Sequence, residues 1–389
     1  MRPSDFTKRI SGDGPEAWRT HGRARARQRN GDDVIILSIG DPDFDTPRPI
    51  IEAACQALND GHTHYADLVG TPQLRTAIAG YQGKLSGVEI DPANVVVVAG
   101  AQCGLFASAL CTMNPGDEVI VSSPTYVTYP AVIGAPGATL VSVATDPESG
   151  FVIDADAIRA AVTSRTKVIM LNSPNNPSGA MISGAALEGV AQICIEHDLW
   201  LICDQVYSGL VFEGEHICPL TLPGMAKRTI VINSLSKSHA MTGWRLGWLV
   251  IPEHMRQTFS NLMLCMLYGI PAFTQQAALS AFDQDLTELG EMKQAFAARR
   301  DTMARGLDGV KGLVCRTPPA GMFCMIDVRR SGLSSYEFAE QLLDAEGVST
   351  LPGDAFGPSG AGHLRISLMV PEARLEEACA RIARFSASL

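Results

Sequence analysis

The chain has 389 residues, 46% of them apolar and only 19% charged, with a formal net charge of −10. That length exceeds what one hydrophobic core usually serves, so two domains are expected, and the apolar content excludes a disordered chain. The acidic balance speaks against nucleic acid or an anionic membrane as a partner.

Arg23, Arg25, Arg27 and Arg29 crowd the first thirty residues. Transit peptides are arginine-rich but poor in acids. Here Asp5, Asp13 and Glu16 precede the run, so a solvated helix over 15–29 is expected as part of the folded protein. The ten cysteines form no C-x-x-C pair, and Cys203 and Cys324 sit inside apolar runs where a thiol acts as a small hydrophobe. With no signal-peptide pattern and no apolar run long enough to cross a bilayer, a reduced, cytoplasmic protein is expected.

From residue 50 to about 280, short β-branched runs alternate with helical patterns. The runs lie at 95–99, 118–121, 139–143, 167–171, 199–203, 229–232 and 247–251, with a helical pattern at 185–197 among those between them. Such alternation predicts an α/β layer around a mostly parallel sheet covered on both faces. After 285 the texture changes: a long helix over 286–307, strands at 312–316, 322–327 and 362–368, and helices over 335–345 and 371–386. The expected division is a large domain over 46–284, and a smaller α+β domain made from 1–45 and 285–389.

Ligands of an open parallel sheet gather beyond the carboxyl ends of its strands. Beyond residue 99 comes Gly100-Ala101-Gln102-Cys103-Gly104, a small-residue turn opening a helix, whose free N–H groups suit a phosphate. Beyond 171 comes Asn172-Ser173-Pro174-Asn175-Asn176-Pro177, which can hold an amide rigidly at the sheet edge. Asp204 follows the run at 199–203 and Tyr207 comes shortly after. A carboxylate at that depth needs a partner, and a protonated pyridine nitrogen supplies one. Beyond 232 comes Asn233-Ser234-Leu235-Ser236-Lys237, with Arg245 after it. A lysine amine beside hydroxyls and a guanidinium is what pyridoxal 5'-phosphate requires: the amine joins the aldehyde and the others hold the phosphate.

The segments SIGDPDFDTP, HYADLVGTPQLR, GAQCGLF, SSPTYVTYP, LNSPNNPSG, DQVY, NSLSKSHAMTGWRLGW, AGMF and HLRISL, in this order, resemble those of class I (fold type I) pyridoxal-phosphate-dependent aminotransferases along nearly the whole chain. The resemblance implies the fold type I architecture and a role for each matching residue. Lys237 resembles the lysine that bonds the cofactor and moves the substrate proton, and Asp204 the partner of the pyridine nitrogen. Asn176 and Tyr207 match the pair on the ring oxygen, and Tyr126 the aromatic stacked on the ring face. Ala101, Gln102, Ser234, Ser236 and Arg245 match the phosphate cradle. Tyr65 matches a tyrosine that reaches the phosphate from a neighbouring subunit, implying a homodimer with shared sites. Arg365, with Gly40 and Asn176, matches the grip on the substrate α-carboxylate. No metal is expected. The family usually carries an acid where this chain has Gln205, whose side chain is expected to point away from the cofactor. His239 invites an acid–base role, but Lys237 already covers the proton transfer, so a structural role is expected.

Within the class, HYADLVG, LNSPNNPSGA, NSLSKSHAMTGWR and LCMLYG resemble arginine–pyruvate transaminases, which implies transfer of the α-amino group of L-arginine to pyruvate. A guanidinium entering a closed site needs an acid or carbonyls. Asp67, two residues after Tyr65, is one candidate, and Asp41 beside Gly40 is a second that fits a turn-stabilising aspartate better. Aminotransferases for aspartate, aromatic or neutral amino acids remain open, as does a pyridoxal-phosphate β-lyase.

Overall fold

The computed structural model describes residues 1–11, 18–283 and 286–389. Strand β1 (Ile35–Ile36) stands apart from a seven-stranded sheet made of β2 (Val95–Val98), β3 (Glu118–Ser123), β4 (Thr139–Ala144), β5 (Thr166–Asn172), β6 (Trp200–Asp204), β7 (Thr229–Ser234) and β8 (Gly247–Val250). Its order is β2-β8-β7-β6-β5-β3-β4, and every pairing is parallel except the two made by β8. Successive side chains of a strand face opposite sides. Val96 and Val98 accordingly pack with Leu105, Phe259 and Met263 on one face, while Val95 and Val97 meet Ile50, Leu74 and Ile78 on the other. Each such aliphatic or aromatic side chain, taken fully out of water, contributes roughly 1.5–3 kcal/mol. The continuous β-branched runs are therefore the direct cause of a sheet sandwiched between helices.

Beyond residue 286 a second sheet forms from β9 (Val314–Cys315), β10 (Phe323–Asp327), β12 (Leu351–Pro352) and β13 (His363–Ser367), antiparallel throughout, in the order β12-β13-β10-β9. β11 (Val348–Ser349) instead pairs in parallel with β1, which ties the N-terminal segment to this half of the molecule. Helices Thr287–Leu307, Ser335–Glu346 and Glu372–Ser388 cover the sheet through Phe296, Leu342 and Ile382. That core continues into Tyr207 and Leu210 of the larger layer. The boundary expected between residues 284 and 285 lies outside the described residues.

The N-terminal helix runs Arg19–Arg29, and residues 15–17 of its expected span lie outside the described residues. It is not simply solvated. Ala24 is fully buried with Val34 and Leu343, Arg19 and Arg23 pair with Glu340 and Asp344 at 2.5 and 2.6 Å, and Arg27 donates to Leu343 O. Exposed ion pairs contribute little, so the apolar contact and the cation at a helix C-terminus account for the docking. Among the described residues, no helix is long and apolar enough to cross a membrane.

Candidate active site

The carboxyl ends of β5, β6 and β7 deliver Asn172, Asp204 and Ser234 side by side, with Asn172 in register with Asp204. Together with the helix Ala101–Thr112, which opens just after β2, they wall a cavity of about 160 Å³.

Lys237 lies on a single helical turn, Leu235–Ser238, begun as soon as β7 ends. Its Nζ enters the cavity and donates to Gly40 O at 2.5 Å. Burial lowers its pKa to about 8; Arg365 and Arg245 push the same way and Asp41 opposes them. An amine so held is partly neutral at physiological pH, unlike an ordinary lysine.

Asp204 is 4% exposed. It accepts from the Tyr129 hydroxyl at 3.1 Å and the Val206 N–H at 3.3 Å. Burial raises its pKa to about 6 in spite of both bonds. The sequence alone does not single out Tyr129. Its one signal there is its spacing from Tyr126, whose ring it meets edge-on at 5.9 Å.

Asn176 joins two further groups. Its Nδ2 donates to the Tyr207 hydroxyl at 3.1 Å, and its Oδ1 accepts from Arg365 Nη1 at 3.2 Å. Asn172 Oδ1 fixes the Asn176 backbone at 2.7 Å, so the amide is aimed by the turn that carries it. Arg365 Nη2 donates to Ser38 O at 2.7 Å, while its buried Nε has no partner among the described residues. Burial lowers the Arg365 pKa to about 10. For Tyr207, burial raises the pKa well above the ordinary phenol value, so the hydroxyl stays a donor.

At the other end, Gly100 has φ +78°, and a Cβ there would run into the Arg245 guanidinium. Arg245 itself sits at φ 53° and donates to Thr242 O at 2.7 Å and Ala99 O at 3.3 Å. Ala101, Gln102, Tyr126, Ser234 and Ser236 line the same cavity. Ser234 Oγ accepts from Ser236 N at 3.4 Å, and Thr128 reaches Gln102 at 3.0 Å.

Thus Lys237, Asp204, Asn176, Tyr207, Tyr126 and the cradle residues converge on one space, while Gly40 and Arg365 join it through Lys237 and Asn176. Tyr65 and Asp67 do not come into it within one chain. Tyr65 is 86% exposed against the edge of Tyr268, and Asp67 is exposed on the same segment. Asp41 accepts from the Thr242 hydroxyl at 2.7 Å, a bond to a distant segment rather than within its own turn. Gln205 points to the opposite side of the sheet, buried against Gln82, away from Asp204. His239 is buried outside the cavity, bonded to Ser238 at 2.8 Å, with its pKa pushed down to about 4 by burial, which suits a structural role.

A family model described as aminotransferase class I and II matches residues 32–382. An arginine–pyruvate transaminase of Pseudomonas aeruginosa is 52% identical over all of this chain and 99% of its own length. An aspartate/prephenate aminotransferase of Thermus thermophilus is 36% identical over 93% of both chains. Among solved structures, an aspartate aminotransferase of Rhizobium meliloti superposes with a TM-score of 0.94 at 32% identity, covering 100% of this chain and 99% of that one.

Proposed function

The chain belongs to the aminotransferase class I and II family, and from that premise we propose that it binds pyridoxal 5'-phosphate and moves the α-amino group of L-arginine to pyruvate. The residues fit that cofactor. Among the described residues, Asp204 is a buried carboxyl met by a phenol and a backbone N–H, and Gly100 lets the Arg245 guanidinium lie against the opening of the helix Ala101–Thr112, where any side chain would collide with it. Asp204 would hold the pyridine nitrogen, Asn176 and Tyr207 the ring oxygen, Tyr126 the ring face, and Ala101, Gln102, Ser234, Ser236 and Arg245 the phosphate. When bound, the cofactor supplies an electron-withdrawing ring that accepts the electron pair left as a substrate proton departs.

The chain's own residues do the rest. Arg365 binds the substrate carboxylate through the edge that includes its unpartnered Nε. Lys237, partly neutral, takes the proton from the substrate Cα and returns one to the product side. Asp204 would keep its cationic partner charged, a pairing that the burial of the carboxyl strengthens. In this reading residues 46–284 carry the cofactor, while 1–45 and 285–389 close over the substrate. Tyr65 and Asp67 act across a homodimer, with Asp67 meeting the guanidinium of arginine.

The transfer chemistry is supported above all by the convergence of Lys237 and Asp204 on one cavity, and the choice of arginine by the 52% identity to the Pseudomonas enzyme. A ping-pong pattern tests the proposal: the keto acid forms from arginine with no pyruvate present, and pyruvate added afterwards takes up the stored amino group as alanine. Dependence of keto-acid release on prior pyruvate binding would refute it.

A further inference from the structure

The Arg365 guanidinium is covered by two aromatic rings: Phe323 at 4.2 Å and Phe356 at 5.0 Å from the ring centroids. Phe323 also reaches two other parts of the site. Its ring meets Tyr207 edge-on at 6.0 Å, and its Cζ presses on Gly40, where an added Cβ would stand 2.5 Å away. Gly40 O is the atom that receives Lys237 Nζ. Phe323 is 2% exposed and belongs to β10, in register beside Ser367 of β13, so its backbone is held by the sheet that carries Arg365.

We propose that Phe323 is a positioning residue that sets both the plane of Arg365 and the height of the Gly40 carbonyl, and so aligns carboxylate and lysine for the same substrate. This role rests on the reading of Arg365 as the carboxylate site. A guanidinium accepts a carboxylate best in its own plane. With aromatic rings over the guanidinium and Nη1 and Nη2 already bonded to Asn176 and Ser38, the edge left with an unused donor is the one at Nε. The negative face of the Phe323 ring offsets part of the buried positive charge without supplying an acid, which would compete with the substrate. The contact with Gly40 makes the two settings interdependent: whatever moves the ring tilts the guanidinium and shifts the carbonyl together.

The test is the affinity of the cofactor-loaded protein for propionate, measured by titration calorimetry. Propionate offers a carboxylate without amine or side-chain group, so the measurement is independent of which amino acid is preferred. Phe323→Leu removes the ring face and should weaken propionate about tenfold while leaving cofactor retention unchanged. Gly40→Ala should weaken it about fivefold in the native background but less than about twofold in Phe323→Leu, where no Cζ opposes the new methyl. Unchanged propionate affinity in Phe323→Leu, a parallel loss of cofactor, or additive effects of the two substitutions would each overturn the proposal. Wild-type protein that fails to bind propionate, or binds it equally after Arg365→Leu, would instead refute Arg365 as the carboxylate site.

Discussion

Replacing Asp204 with asparagine should make the cofactor-free protein more stable while making the loaded protein worse. The Asp204 carboxyl is buried, and its pKa is raised from 3.8 to about 6 by that burial. A carboxyl that binds its proton more tightly in the folded state gives stability that is fully present below about pH 4 and lost as pH rises through about 6. The gap corresponds to about 3 kcal/mol at neutral pH. The substituted amide would not titrate, and its oxygen can still accept from Tyr129 and Val206, which bond Asp204 now. In cofactor-stripped protein, Asp204→Asn should therefore match wild type near pH 4 and exceed it by about 3 kcal/mol at pH 8. Urea unfolding midpoints of both proteins across that range check the sign and the size. Saturating cofactor should reverse the order, because only the carboxylate can pair with a ring cation. A stability difference that is flat with pH, or wild type being the more stable stripped protein at pH 8, would refute the reasoning.

Lys237→Ala should abolish amino transfer, by at least about a thousandfold, while the phosphate cradle still retains cofactor without a covalent link, read by dialysis and borohydride trapping. Capture of cofactor by stripped wild-type protein needs a neutral amine, so its rate should climb as pH rises to about 8 and then level, in a stopped-flow absorbance series. Asp67→Ala should raise the KM for arginine about tenfold and leave alanine unaffected; arginine processed unchanged would remove Asp67 from the site.

Much of the fold is legible in the sequence because the main strands are β-branched runs buried on both faces, as Val95–Val98 and Thr229–Ser234 show. Ile35–Ile36, Val348–Ser349 and Leu351–Pro352 are not, since a two-residue strand has no periodicity to read. Likewise, Asn172, Asp204 and Ser234 are legible as strand ends, and Lys237 as the turn after one. Arg365 lies within a strand, and only family resemblance points to it. Tyr129 and Phe323 escape because their roles depend on contacts between distant segments: a hydroxyl on Asp204 in one case, a ring between Gly40 and Arg365 in the other.

Whether Lys237 and Asp204 serve amino transfer from arginine is tested most directly by the visible absorption of the cofactor-loaded protein, followed as single amino acids are added with no keto acid present. L-arginine should bleach the lysine-linked band faster than aspartate, phenylalanine or alanine, and pyruvate alone should then restore it. Bleaching only by the other amino acids would contradict the choice of arginine, and a loaded protein with no lysine-linked band would contradict the role of Lys237.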